Sequence, residues 1–300
     1  MTDIVIIGAG PAGLTAALYA TRAGAKVKII ESGAPGGKLN STADIENYPG
    51  IKKKMGPELA YEMYEHALNF GAELEMTEVT GIRDFGHHKI VVTTNGEIET
   101  KNIIIATGTK ERLMNIPGEK EYTGKGVSYC AVCDGPFFKG KETAIIGGGN
   151  SAIEEAVYLA GFVSKVHIIV RRDVFRADKY IIDKAKSMNN IVFHTLKKPL
   201  EVIGDGHKVT GLKLIDSKTN EESLLEVSGI FPFIGLDPMT GFASNLDITD
   251  EKGYIEVDEH MQTKIKGIFA VGDVTNKQLR QIVTAANDGA IAGQYIASNL

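Results

Sequence analysis

Cys130 and Cys133 are the only two cysteines in 300 residues, and they stand two residues apart in YCAVCDG at 129–135. A C-x-x-C pair can close a redox-active disulfide, supply half of a zinc site, or be a coincidence. Zinc takes four ligands. The seven histidines, among them His87, His88 and His167, show no H-x₃₋₅-H spacing that would complete such a set. No metal site is therefore expected. A dithiol and its disulfide differ by two electrons and two protons, and the thiolate is the nucleophile in exchange. Asp134 directly follows Cys133. Its carboxyl can move protons at sulfur, or it can open an Asp-Gly turn with Gly135. The residues alone leave both readings open.

A redox disulfide needs a source of electrons, and two stretches of the chain have the form of one. DIVIIG is a short apolar run of the kind that makes a strand buried on both faces. It leads into Gly8-Ala9-Gly10-Pro11-Ala12-Gly13, a G-x-G-x-x-G turn, then a helical stretch Leu14 to Arg22 and a second strand Lys26 to Ile30. Glu31 closes that strand, 23 residues after Gly8. The pattern recurs mid-chain. Thr143 to Ile146 leads into Gly147-Gly148-Gly149-Asn150-Ser151-Ala152, a helix Ser151 to Ala160 and a strand Val166 to Val170. Arg171 and Arg172 close it, 24 and 25 residues after Gly147. Each is a βαβ unit with dinucleotide-fingerprint spacing, although a glycine-rich turn alone also occurs in other α/β folds.

The charges at the two strand ends separate the ligands. A carboxylate such as Glu31 accepts hydrogen bonds from ribose hydroxyls and repels a 2′-phosphate. That suits FAD or NAD, the alternative being a solvated strand-end charge. Arg171, Arg172 and nearby Arg176 offer guanidinium forks to a 2′-phosphate. That suits NADPH, the alternative being a basic surface turn. Two nucleotide sites and one dithiol imply electron transfer from NADPH through a flavin to a disulfide.

Composition agrees with an ordinary globular protein of one large or two medium domains, with 43% hydrophobic residues, 24% charged residues and net charge −5. The mild acidity argues against a nucleic-acid binder. No apolar run approaches a membrane span of ~18 residues, and MTDIVIIGAG has no cationic leader region. A cytoplasmic protein is expected, where structural disulfides are rare and a C-x-x-C pair is more often catalytic or metal-binding.

Taken in order, GAGPAG, GGKL at 36–39, ENYPG at 46–50, ATG at 106–108, CAVCDG, GGGNSAIEEA, RRDVFRA at 171–177, and GIFAVGDV followed by RQIVTAA resemble the low-molecular-weight, bacterial-type thioredoxin reductases over essentially the whole chain. The resemblance implies an α/β fold of two Rossmann-like, three-layer dinucleotide-binding domains. An NADPH domain at 113–241, carrying the C-x-x-C pair, would be inserted into an FAD domain made of 1–112 and 242–300. It implies a homodimer that reduces the disulfide of thioredoxin, with the NADPH domain rotating to serve its two partners in turn. FAD would be held by Gly8, Gly10, Pro11, Ala12, Gly13, Glu31, Gly37, Lys38, Leu39, Asn47, Ala106, Thr107 and Gly108. Gly272 and Asp273 would lie along its ribityl and pyrophosphate portion, Arg280 and Gln281 near its ring system, and Ile282 would also contact FAD. NADPH would be held by Gly147, Gly149, Asn150, Ser151, Ala152, Arg171, Arg172 and Arg176. Cys133 would face the flavin, Cys130 would attack the partner disulfide, and Asp134 would be the acid–base residue.

The chain departs from the family pattern at four places. Lys38 replaces the glutamine of G-G-Q-L, Val170 the histidine before the arginine pair, Met239 the asparagine of G-x-x-P-N-T, and Leu279 an aromatic before Arg280-Gln281. Other readings keep the scaffold but change the partner to a glutaredoxin-like protein or a peroxidase module, or change the electron donor. A dithiol oxidase would have no need of the arginine cluster. A flavin-binding sensor would have no need of the cysteines.

Overall fold

The computed structural model describes residues 2–42 and 44–300. The chain divides into two compact units, Met1–Lys110 with Asp237–Leu300, and Glu111–Leu236.

In the first unit five strands run parallel in the order Glu73–Met76, Val27–Glu31, Thr2–Ile7, Gly96–Ile105, Ile268–Ala270. Their near-continuous apolar sequences follow from burial on both faces. Alternate residues separate cleanly. Ile4 and Ile6 join Leu14, Ala16 and Ala20 of the helix Pro11–Arg22 on one face. Val5 and Ile7 join Ile82, Val91 and Ile103 on the other. The strand Gly96–Ile105 is long enough for two partners. Its first half pairs antiparallel with Lys89–Thr93, which continues to Val79–Asp84, and its second half pairs with Thr2–Ile7. That meander supplies the third layer. The last helix, Ile282–Ala297, lies against Pro11–Arg22, where a Cβ at Gly289 or Gly293 would stand 2.2 and 2.4 Å from the carbonyl oxygens of Ala12 and Ala16.

The second unit repeats the plan. Ile191–Thr195, Lys165–Val170, Glu142–Ile146 and Gly229–Pro232 form a parallel sheet in that order. Ile145, Ile168 and Phe231 meet Ala152, Ile153, Ala156 and Leu159 of the helix Asn150–Ala160. On the opposite face Ala144, Ile146 and Ile169 meet Val202, Leu212 and Leu214 of an antiparallel sheet, Lys197–Gly204, Val209–Asp216 and Glu222–Glu226. The internal echo in the sequence is thus a repeated three-layer α/β unit, one copy inserted into the other. Both helices begin slightly earlier than the spacing predicts. In the first, Pro11 sits in the opening turn, where its missing N–H costs nothing. No helix among the described residues is long and apolar enough to cross a membrane.

Candidate active site

Each glycine turn is held open by the strand beside it. Gly8 has φ +107°, and a Cβ there would stand 2.5 Å from the Ala106 carbonyl oxygen. A Cβ at Gly13 would stand 2.0 Å from the Gly8 carbonyl oxygen. Neither position admits a side chain. Gly10, the residue before the helix, has only Gly37 Cα near its Cβ position, at 4.0 Å. Backbone is therefore presented at the start of the helix without a side chain in the way, as a pyrophosphate requires. The Glu31 carboxylate closes over the turn, accepting the Ala9 N–H (2.8 Å) and the Gly33 N–H (2.8 Å).

The remaining first-unit candidates gather around that turn in overlapping contacts. The Gly36 N–H bonds the Ala9 carbonyl (2.7 Å), setting the short helix Gly37–Ser41, which carries Lys38 and the buried Leu39, beside Gly10. A Cβ at Gly272 would stand 2.8 Å from Ala12 Cβ. Asp273 follows it, and burial raises its carboxyl above the usual range, with Lys38, Lys277 and Arg280 opposing that shift. Arg280 lies over the Tyr254 ring at 4.3 Å and donates to the Lys277 carbonyl (2.9 Å). Gln281 caps the last helix and its Oε1 accepts from Asn47 Nδ2 (3.1 Å). Ile282 packs on the small cluster that contains Leu39 and Ile45. Thr107 Oγ1 donates to the Met239 carbonyl (2.7 Å), and the Met239 N–H to Gly108 (3.0 Å). Position 239 thus serves through its backbone while its side chain is exposed.

In the second unit, Gly147 has φ +143° and a Cβ there would stand 2.3 Å from the Phe233 carbonyl oxygen, whereas nothing lies within 4 Å of a Cβ at Gly149. The segment after the sheet folds back over this turn. The Arg176 N–H bonds the Gly148 carbonyl (2.7 Å). Asn150 and Asp178 bond reciprocally, Asn150 Nδ2 to Asp178 Oδ2 (2.9 Å) and the Asp178 N–H to Asn150 Oδ1 (2.7 Å). Arg171, Arg172 and Arg176 are exposed, and none of the three guanidiniums is hydrogen-bonded or ion-paired to any described residue. Val170, the departure beside them, is buried in the core cluster under Gly148. Ser151 and Ala152 occupy the first turn of the helix, with Ala152 buried.

Cys130 and Cys133 form a disulfide at the four-residue helix Ala131–Asp134, with the Cys133 N–H donating to Cys130 Sγ (3.0 Å). Ala131 is buried in the same core as the helix Asn150–Ala160. Cys133 is exposed and Cys130 half-buried. Asp134 makes no side-chain bond to the following turn. Gly135 has an ordinary helical φ of −51°. It is required for space instead, since a Cβ would stand 2.7 Å from Leu159 Cδ2. Among the described residues no group of three or more metal-ligating side chains is gathered.

Three carboxylates that sequence spacing does not single out stand on helices next to these turns. Asp288, buried in the last helix, accepts the Gly272 N–H (2.9 Å) and pairs with Lys277. An acid within the apolar helical stretch VTAANDGAIAG was its signal. Glu154 and Glu155 follow the second glycine turn. Partial desolvation along its helix, aided by Asp178, raises Glu154, which stays exposed at the surface. Burial first, and then Glu154, push Glu155 up to about 8, and its Oε2 has no partner. Between the ordinary carboxyl value of 4.5 and about 8, the folded chain holds a proton that the unfolded chain releases. This group's contribution to stability is fully present below the lower value and is lost as pH rises towards the upper one. Glu155→Gln removes that loss. In urea melts the variant should gain on the parent between pH 5 and pH 8, by up to about 4 kcal/mol at about 1.4 kcal/mol per pH unit. A gap that does not change with pH would contradict this.

Two glycine-opened dinucleotide turns and a C-x-x-C disulfide define a class of flavin-dependent disulfide oxidoreductase. Residues 2–289 match the family described as Pyridine nucleotide-disulphide oxidoreductase, and the chain belongs to that family. It is 47% identical to the thioredoxin reductase of Bacillus subtilis (strain 168), over 98% of this chain and 93% of that protein. The crystal structure of Lactococcus lactis thioredoxin reductase matches with a TM-score of 0.98 and 48% identity, covering 100% of both chains. That of T. acidophilum thioredoxin reductase matches with a TM-score of 0.96 and 38% identity, covering 99% of this chain and 98% of that one. Within its family the chain belongs among the thioredoxin reductases, enzymes that use FAD and NADPH.

Proposed function

We propose that FAD occupies the first unit and NADPH the second, and that electrons leave through Cys130 to the disulfide of thioredoxin. The observation that carries the NADPH assignment is the set of three exposed guanidiniums beside the second turn that have no partner among the described residues. An ordinary basic surface turn usually spends such charges on neighbouring carboxylates, and Asp178, the nearest acid in sequence to Arg176, is bonded to Asn150 instead. The first turn carries Glu31 over it, which suits a ribose without a 2′-phosphate. The turns fit the two dinucleotides, because Gly10 and Gly149, each just before its helix, leave the backbone there open to close approach.

When bound, FAD supplies two-electron transfer between NADPH and the disulfide. The chain's own residues do the rest. Two electrons and two protons open the Cys130–Cys133 bond. The Cys130 thiolate attacks one sulfur of the thioredoxin disulfide, forming a mixed disulfide and releasing a thiolate that takes up a proton. Cys133, as thiolate, then attacks Cys130 Sγ, which restores the internal disulfide and releases the second thioredoxin thiol. Asp134 moves the proton at Cys133. In support of that role, its side chain is not spent on the turn that would be its other use. The same reading includes a homodimer working in the cytoplasm, which a light-scattering mass of twice the chain mass would support. A steady-state assay with thioredoxin from the same source, comparing NADPH with NADH, tests the proposal. Turnover should be specific to NADPH, and equal turnover with both nucleotides or none with thioredoxin would overturn it.

A further inference from the structure

Glu119 is 2% exposed, and no step above uses it. Its carboxylate accepts three hydrogen bonds. Oε1 takes the Met114 N–H (2.8 Å) and the Tyr129 O–H (2.6 Å), and Oε2 takes the Asn115 N–H (2.6 Å). Among the described residues no cation shares it. The residue is fixed from behind as well. Gly118, with φ +79°, precedes it, and a Cβ there would stand 2.3 Å from the Val202 carbonyl oxygen. A buried carboxylate so fully satisfied ties its donors firmly, because each would otherwise be left unpaired in the interior.

The donors come from two separate places. Met114 and Asn115 lie just after the chain enters the second unit at Glu111, and Asn115 is held in a left-handed conformation at φ 56°. Tyr129 directly precedes Cys130, and its ring packs on the cluster that contains Val127 and Ile230. On the other side of the same loop, the Cys130 N–H donates to Ser128 Oγ (3.1 Å), while the Ser128 N–H bonds the Ile230 carbonyl (3.0 Å). Both residues before Cys130 are therefore anchored, one to the sheet and the other to Glu119.

We propose that Glu119 and Tyr129 form a positioning clamp that keeps Cys130 Sγ within reach of Cys133 after the disulfide has opened. Burial and the Glu119 contact raise the Tyr129 phenol above its ordinary value, so the phenol keeps its proton and acts by position, not as an acid. The step the clamp serves is reclosure. The Cys133 thiolate forms a bond to Cys130 Sγ, the bond from Cys130 to the partner sulfur breaks, and the departing thiolate takes up a proton. Its equilibrium and rate depend on the effective concentration of one sulfur at the other, which a tethered loop holds high.

This proposal rests on the redox reading of Cys130 and Cys133, and one titration separates the two. The holoenzyme and its Tyr129→Phe and Glu119→Gln variants are equilibrated in dithiothreitol buffers, and the thiols at 130 and 133 are counted by alkylation and mass. Tyr129→Phe keeps the ring and loses only the O–H donor, so it should fold as the parent does. It should make disulfide closure about three- to tenfold less favourable, a rise in midpoint potential of about 15–30 mV. In turnover kcat should fall while KM for thioredoxin stays unchanged. Adding Tyr129→Phe to Glu119→Gln should cost less than the two single effects combined, because they remove one shared contact. A folded Tyr129→Phe variant with the parental potential would overturn the clamp alone. A parental pair that never titrates would overturn the redox reading and the clamp with it.

Discussion

Cys130→Ser abolishes the reduction of thioredoxin and leaves reduction of the flavin by NADPH intact. The expectation follows from the division of labour between the cysteines. A serine hydroxyl is not ionised at neutral pH and cannot attack a disulfide, so turnover should fall by more than about 10³-fold, the scale seen when a covalent nucleophile is removed. The chemistry at the other end of the relay uses none of residue 130. Cys133→Ser should behave differently. Its Cys130 still attacks but nothing resolves the product, and the enzyme accumulates as a mixed disulfide whose mass is that of the two chains together. Continued turnover by Cys130→Ser, or a mixed disulfide trapped by that variant instead, would reverse the assigned roles. The half-buried state of Cys130 and the exposure of Cys133 give that comparison particular value.

Arg172→Ala weakens NADPH by about 10- to 150-fold and NADH by little. A charge-assisted hydrogen bond is worth about 1.5–3 kcal/mol, which converts to that range at about 1.4 kcal/mol per decade. Only NADPH carries the 2′-phosphate that would use it. The guanidinium has no described protein partner whose loss could blur the result, so the change reports the ligand contact directly. The NADPH constant of the parent should also be the more salt-sensitive of the two, because exposed charges are screened. Equal losses for both nucleotides would remove 2′-phosphate recognition from residue 172.

Much of this molecule is legible in its sequence because the informative spacings are local. A strand, a glycine turn and a helix occupy one short run of consecutive residues, Thr2 to Arg22 and again Glu142 to Ala160, and the forced geometry at Gly8 and Gly147 leaves no other residue type possible. Position 31 follows from the length of one βαβ unit. Contacts made across the whole chain are not legible in that way. Asn47 and Gln281 meet over a separation of 234 residues, and no periodicity brings them together. Only the resemblance names both. The buried carboxylates escape for a related reason. Glu119, Glu155 and Asp288 read as ordinary acids until tertiary packing encloses them, and burial is what makes each consequential. Two of the departures from the family pattern become intelligible in three dimensions. Met239 contributes its backbone, and Val170 fills the core beneath Gly148. Nothing in the structure explains why Leu279 replaces an aromatic, since its side chain is exposed.

Two electrons are expected to follow a continuous path from NADPH through a flavin to Cys130 and Cys133, and an anaerobic titration of the oxidised holoenzyme with NADPH tests that path. Absorbance reports the flavin, and alkylation followed by mass analysis reports the two thiols. The titration should take up about two equivalents per chain, one for the flavin and one for the disulfide, with thiols appearing at both 130 and 133 as the yellow colour is lost. A flavin that stays oxidised, or one that bleaches after about one equivalent while the disulfide remains closed, would contradict it.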